Sequence, residues 1–190
     1  MQHNAAAGPA ADFVLVAGVP GAGKSTALRA LVGRVPNARI LDPEQPRDWV
    51  RARFADLPYR RYRPLVHLIA TLRVLWFVLR GPGKRPLVVH EPGTRTRLRR
   101  ALVRLAHARG WRPALVFIEV TPAEAARGQH ARGRILREQS FAGHWKRWSR
   151  LKEHLTDGLA DEPWEHILVV PRSRAVDAIA GELTATGTKS

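Results

Sequence analysis

Apolar residues in this chain come in two rhythms. Short unbroken runs fit strands buried on both faces: Asp12 to Ala17, Ala38 to Leu41, Pro86 to Glu91, Ala114 to Val120 and Ile167 to Pro171. Between them the apolar positions recur at three- and four-residue steps, the spacing of helices. The first such stretch runs to about Gly33. The most apolar one, Leu65 to Leu79, is opened by Pro64 and stopped by Gly81-Pro82-Gly83. Thr94 to Arg109 sets Leu98, Leu102 and Leu105 on one face before Gly110. Thr121-Pro122-Ala123-Glu124 is a helix start, with a threonine cap, a first-turn proline and a capping-box glutamate. Phe141, Trp145, Trp148, Leu151, Leu155 and Leu159 form one amphipathic helix whose aromatic face reads as core packing. Arg174 to Leu183 is a closing helix, and Arg47 to Tyr62 is irregular by pattern. The alternation predicts an α/β fold with a doubly wound parallel sheet, its ligand at the carboxyl ends of the strands.

One strand–helix junction carries chemistry. Gly18-Val19-Pro20-Gly21-Ala22-Gly23-Lys24-Ser25-Thr26 matches G-x-x-x-x-G-K-[ST], the phosphate-binding loop, between an apolar strand and a helix-forming run. Glycines let the backbone curl around a phosphate without a Cβ in the way. The N–H groups and the helix N-terminus then meet its charge. Lys24 is placed to reach the β- and γ-phosphates, and the Ser25 hydroxyl to ligate Mg²⁺.

Composition adds boundaries. A chain of 190 residues suits one domain. It has no cysteine, so disulfides and cysteine-ligated metals are excluded. Residues 1–11 are small and polar and read as a disordered tail, leaving 12–185 as a single domain in a cytoplasmic protein. The net charge of +16, mostly from arginine, gives an affinity for polyanions, and weak, sequence-blind nucleic-acid binding follows from it. Leu65 to Leu79 falls short of a bilayer span and holds Arg73 in its middle. It therefore reads as a buried helix, with no membrane partner.

The other strand ends separate the readings of a phosphate loop. Asp42 follows the second strand, where a carboxylate can take a proton from a substrate hydroxyl; before Pro43 it is equally a turn-former. Glu91 closes the third strand, where an acid supports Mg²⁺ through its water shell, although its longer arm could reach the substrate instead. His90 alternates to the other face and reads as structural. Thr94 and Arg95 follow as candidates facing the site. Beyond the fourth strand come Arg127, Arg132 and Arg134, interrupted by Gly128 and Gly133. Planar guanidiniums there would answer charge on a transferring phosphoryl group.

Together these residues resemble the P-loop kinase superfamily: the Gly18–Thr26 loop, a carboxylate closing strand two, Glu91 closing strand three, and the R-x4-R-x-R segment. Within it the chain resembles compact AAA-family ATP-binding proteins related to zeta-toxin-like and polynucleotide-kinase-like phosphotransferases. The resemblance implies a P-loop NTPase sheet of five strands in the order 2-3-1-4-5, helices on both faces, ATP and Mg²⁺ as cofactors, and a helical lid at 127–140. By the same resemblance Gly18, Pro20, Gly21, Ala22, Gly23, Lys24, Ser25, Thr26 and Arg127 hold the nucleotide, with Arg127 near adenine. Lys24, Asp42, Arg132 and Arg134 are catalytic, and Asp42 is the base. Glu91, Thr94 and Arg95 form the substrate turn. Residues 47–84 stand where an acceptor-binding insertion forms, and their arginines favour an anionic acceptor. The expectation is a monomeric kinase transferring the γ-phosphate of ATP to a small acceptor. The alternatives are an ATPase or nucleotide-dependent switch whose acceptor is water, and a nucleic-acid kinase or binding protein.

Overall fold

The most apolar of the short runs becomes the middle of the sheet. In the computed structural model β1 (Phe13–Ala17) is buried at every residue and pairs in parallel with a strand on each side. Those neighbours are β3 (Leu87–His90) and β4 (Pro113–Glu119), and the edges are β2 (Arg39–Leu41) and β5 (His166–Pro171). All pairings are parallel and the order is β2-β3-β1-β4-β5, as the family resemblance implied. The structure describes residues 11–53, 58–91, 93, 96–131, 138–155, 159 and 161–184. The tail lies outside that set except for Ala11, which is buried and joins the main core.

The helices are α1 (Lys24–Arg34), α2 (Glu44–Arg53), α3 (Tyr59–Leu79), α4 (Thr96–Ala108), α5 (Pro122–His130), α6 (Glu138–Leu155) and α7 (Ala175–Thr184). α7 lies against α1, β1 and β4, while α4 lies against α3 and β4, giving helix layers on both faces of the sheet. The core between them is apolar, with Phe13, Leu15, Leu28, Leu31, Leu115, Phe117 and Ile179 nearly devoid of exposure. The Trp148 ring of α6 is buried and stacks on Phe117, centroids 3.8 Å apart and 7° from parallel. The aromatic face of α6 is thus core, as its spacing indicated.

Two expectations are corrected between β2 and β3. The segment read as irregular contains α2 and the first turn of α3, so Pro64 lies inside α3 and does not open it. Pro46 sits in the first turn of α2, where proline costs little, whereas Pro64 is the sixth residue of α3 and forgoes the N–H bond to the Arg60 carbonyl. The second correction concerns burial. α3 is not a buried helix: Leu65, Leu68, Leu72, Trp76 and Leu79 are all exposed. Its inner face alone is covered, by Val50 packing on Tyr62 and Val66, and by Val78 joining the main core. With its extra turn, Arg61–Leu79 is long and apolar enough to cross a bilayer by length and composition.

Candidate functional site

The phosphate loop leaves β1 at Ala17 and enters α1 at Lys24, with Gly23 before the helix at φ 94°. Its shape is set by side chains of the loop itself and of two distant segments. Five successive carbonyls, Gly18 to Ala22, accept side-chain hydrogen bonds. Lys24 Nζ donates to Gly18 O at 2.6 Å and Val19 O at 3.1 Å. Gln129 Nε2 donates to Pro20 O at 3.4 Å. Arg172 donates through Nη2 to Gly21 O at 2.5 Å and through Nε to Ala22 O at 3.2 Å. Across a trans peptide the carbonyl and the next N–H point oppositely, so the Gly23 N–H faces away from Arg172, while the Ala22 N–H closes a turn onto Val19 O at 3.1 Å. The first N–H groups of α1 also lack a carbonyl four residues back. Both features suit an anion.

The loop rests on α5 with almost no spacer. A Cβ at Gly21 would stand 2.1 Å from the Ala125 carbonyl oxygen, and one at Gly128 would stand 2.3 Å from the Gly21 carbonyl oxygen. Gly128 is therefore not a helix interruption, as its sequence position suggested. α5 runs on to His130, and the missing side chain lets helix and loop touch.

A polar cluster forms where β2 and β3 end beside α1. Asp42 Oδ1 lies 3.1 Å from His90 Nδ1, and Ser25 Oγ lies 3.4 Å from the same nitrogen. An ionised carboxylate only accepts, so Nδ1 carries the proton and donates to Asp42. Asp42 Oδ1 also accepts the Glu44 backbone N–H at 2.9 Å, which starts α2. The turn-forming role weighed for Asp42 is therefore realised alongside its place in the site. Burial by itself would raise the Asp42 pKa. The His90 hydrogen bond and charge, the Glu44 N–H and Ser25 outweigh burial and bring it down to about 2. Burial, joined by the nearby Lys24 charge, lowers the His90 pKa against the pull of Asp42. At neutral pH the pair is an anionic aspartate held by a neutral imidazole.

The third strand end is braced separately. Glu91 accepts the Gly93 backbone N–H, and Arg99 Nη1 donates to the Gly93 carbonyl. Arg99 is 2 % exposed and makes a two-pronged ion pair with Glu162 at 2.8 and 2.7 Å. Trp164 Nε1 donates to the same carboxylate at 2.9 Å. Gly93, at φ 71°, lies so close to β1 that a Cβ would stand 2.4 Å from the Ala17 Cβ.

A family model described as an AAA domain matches residues 13–156. The chain belongs to the AAA domain family. Among curated proteins none matches its sequence. Among solved structures it is similar to one from the PezAT chromosomal toxin-antitoxin system of Streptococcus pneumoniae. That match has 16 % identity and a TM-score of 0.59, covering 92 % of this chain and 76 % of the other. It is also similar to a gluconokinase from Sinorhizobium meliloti, at 17 % identity and TM-score 0.54, over 93 % and 94 % of the two chains. A Deinococcus radiodurans tunicamycin resistance protein matches at 18 % identity and TM-score 0.50, over 93 % and 96 %. At these identities the likeness is one of fold, and the fold is that of P-loop kinase-like proteins.

The structure of this AAA-domain protein brings together Gly18, Pro20, Gly21, Ala22, Gly23, Lys24, Ser25 and Asp42, with Thr26 exposed on the first turn of α1. Lys24 and Ser25 are almost fully buried. Glu91 stays in its turn with Gly93, while Thr94, Arg95, Arg132 and Arg134 lie outside the described residues. Arg127 is exposed on α5, which divides the expected lid: Arg127 to His130 are helix, and α6 begins at Glu138. His90 is a correction. Alternation reads it as structural, yet from the last residue of β3, still in register with Val16, its ring stands within hydrogen-bond distance of Asp42 and Ser25. Arg172, Gln129 and the Arg99–Glu162 pair were missed. Arg172 was within reach of the same logic, since it stands directly after β5 at the carboxyl edge of the sheet.

Proposed function

We propose that this AAA-domain protein is a kinase that transfers the γ-phosphoryl group of ATP to a hydroxyl of a small, anionic acceptor. The observation that carries this reading is the convergence of the phosphate loop with an anionic aspartate. Ser25 on one side and Asp42 on the other meet at His90, near enough to Lys24 for its charge to lower the His90 pKa. Lys24 would leave the Gly18 and Val19 carbonyls for the β- and γ-phosphates. Hard oxygen donors suit Mg²⁺, and Ser25 Oγ with a carboxylate beside it supplies them. Ser25 would ligate the ion and Glu91 would hold one of its waters; the ion neutralises phosphate charge when bound.

In the transfer the bond from the γ-phosphorus to its bridging oxygen breaks and the acceptor oxygen bonds to that phosphorus. The hydroxyl proton passes to Asp42 and ADP leaves. A carboxylate with a pKa near 2 is a weak base. It suits a loose phosphoryl-transfer transition state, in which the hydroxyl loses its proton late and orientation counts most. The neutral His90 N–H fixes the carboxylate for that task. Arg132 and Arg134 would close on the transferring group, Arg127 would pack on adenine from α5, and Glu91, Thr94 and Arg95 would hold the acceptor. A groove between α4 and α6 supports an anionic acceptor: Arg97, Arg147, Arg150 and His154 line it, with Arg100, which also pairs with Asp161 and Glu162.

The test is ADP release with labelled γ-phosphate across pooled phosphorylated metabolites, neutral sugars and nucleic acids, with water as the blank. Stimulation and label transfer are expected with the phosphorylated pool. Equal rates with every pool would make water the acceptor and the protein an ATPase. Label transfer to nucleic acid alone would make it a polynucleotide kinase.

A further inference from the structure

The outer face of α3 has no counterpart in the phosphotransfer chemistry. Leu65, Leu68, Leu72, Trp76 and Leu79 follow one another at steps of three and four, so they form a single stripe along the helix. Their exposures are 40, 55, 55, 59 and 47 %. Trp49 on α2, the helix packed beside α3, is exposed by 59 %. A continuous apolar stripe of this kind marks a surface that is covered in use.

Charge decides what covers it. Residues 57–90 contain no aspartate or glutamate, but they contain Arg60, Arg61, Arg63, Arg73, Arg80, Lys84 and Arg85. A second copy docking on the same face would oppose two such sets of positive charge. An anionic surface would meet them favourably. The aromatic residues fit a lipid interface in particular. The Arg80 guanidinium lies 5.2 Å from the Trp76 ring centroid, and that of Arg53 lies 5.9 Å from the Trp49 ring. Indole beside guanidinium is the pairing that sits at headgroup depth, apolar ring inward and charge toward phosphate. Among the described residues Asp48 on α2 is the exposed acid nearest in sequence to this stripe, and the neighbouring Glu44 is paired with Arg29.

The helix is also held so that it lies on a bilayer and does not cross it. At its carboxyl end Trp111 Nε1 donates to Val78 O at 2.9 Å and Arg109 Nε donates to Leu79 O at 2.7 Å. Near its amino end Tyr62 and Val66 are buried with Val50 of α2. Arg73, halfway along, donates to Gln45 of α2 at 3.2 Å. Insertion across the membrane would break all of these contacts, whereas lying in the interface keeps them and buries only the outer stripe.

From these observations we infer that the α3 face, with Trp49 beside it, is a docking surface for an anionic lipid bilayer. The test uses the full chain and vesicles, floated on a density gradient. One set is phosphatidylcholine alone; the other also holds about 30 mol % phosphatidylglycerol. Wild type floats with the anionic vesicles and stays behind with the neutral ones. Leu68→Gln, Leu72→Gln and Trp76→Gln together lower the partition by on the order of a hundredfold. The thermal melt is unchanged, because all three side chains already face outward. A second variant, Arg61→Gln with Arg80→Gln and Lys84→Gln, lowers partition to the anionic vesicles and makes it less sensitive to salt. Failure of the wild type to float, or equal flotation of wild type and the apolar triple variant, overturns the inference. So does a lipid-free dimer that the apolar triple variant dissociates, which would make a second copy the occupant.

Discussion

Replacing Asp42 by asparagine separates what its charge does from what its shape does. Asparagine keeps an acceptor oxygen for the Glu44 N–H, so the start of α2 should survive. The lost charge has a stability consequence that the pKa fixes. In the unfolded chain the carboxyl titrates near 3.8, and in the native state near about 2. The native state thus resists protonation, and the difference is stability present above pH 3.8 and lost as pH falls toward 2. At 1.36 kcal/mol per unit the amount is about 2 kcal/mol. His90 acts in the same direction from higher pH. Its native pKa lies below 6.5, so the unfolded chain takes up a proton first and stability falls as pH drops below that value. Urea unfolding followed from pH 7 to pH 2 should show wild type losing stability in two stages. Asp42→Asn should begin about 2 kcal/mol lower and lack the stage below pH 4. The functional arm uses the same variant. If Asp42 receives the acceptor proton, transfer should fall by roughly 10²–10⁴-fold. ATP affinity should hardly change, and the ratio of acceptor phosphorylation to ATP hydrolysis should drop. Parallel pH curves in the two proteins would show that the carboxylate does not gain stability from His90. An unchanged ratio with both rates unchanged would reduce Asp42 to the N-terminal residue of a turn.

Three further substitutions test the rest of the site. Lys24→Ala should weaken Mg²⁺·ATP binding or transition-state stabilisation by about 2–4 kcal/mol, read by calorimetric titration; equal affinity in the two proteins would remove the phosphate-loop assignment. Gly128→Ala should displace the loop, since the added methyl would stand 2.3 Å from the Gly21 carbonyl oxygen. Nucleotide affinity should therefore fall at least tenfold while the sheet keeps its circular dichroism, and an unaltered titration would refute the contact. Arg99→Met should leave Glu162 buried without its partner and cost about 3–5 kcal/mol, seen as a lower midpoint in urea. The double variant with Glu162→Leu should recover much of that loss, and no recovery would mean that Arg99 acts chiefly through the Gly93 carbonyl.

The parts of this protein legible in its sequence were those whose physics is local. Buried parallel strands need apolar residues on both faces, so all five strands stood out as runs. The phosphate loop requires glycine where a Cβ would collide and lysine and serine at fixed offsets, so it could be read letter by letter. From these the placing of Asp42 and Glu91 at strand ends followed, and the strand order came with the family resemblance. The tertiary structure decided what depends on neighbours distant in the chain. Periodicity records that α3 is apolar but not which side is covered; only the packing of Val50, Trp111 and the core against one face leaves the stripe from Leu65 to Leu79 outside. Gly128 looked like a helix weakener because propensity is counted along the chain, whereas its purpose is set by a carbonyl 107 positions away in sequence at Gly21. His90 reads as structural because alternation along β3 cannot show that Asp42, just after β2, and Ser25 of α1 stand 3.1 and 3.4 Å from its ring. The position of Arg172 after β5 marks it only as a candidate, and the Arg99–Glu162 pair carries no local signal, since an arginine looks the same in sequence whether water, a loop carbonyl or a buried carboxylate receives it. Only the tertiary fold, which sets β5 beside β4 and brings Arg172 to the phosphate loop and Glu162 to Arg99, gives those charges their partners.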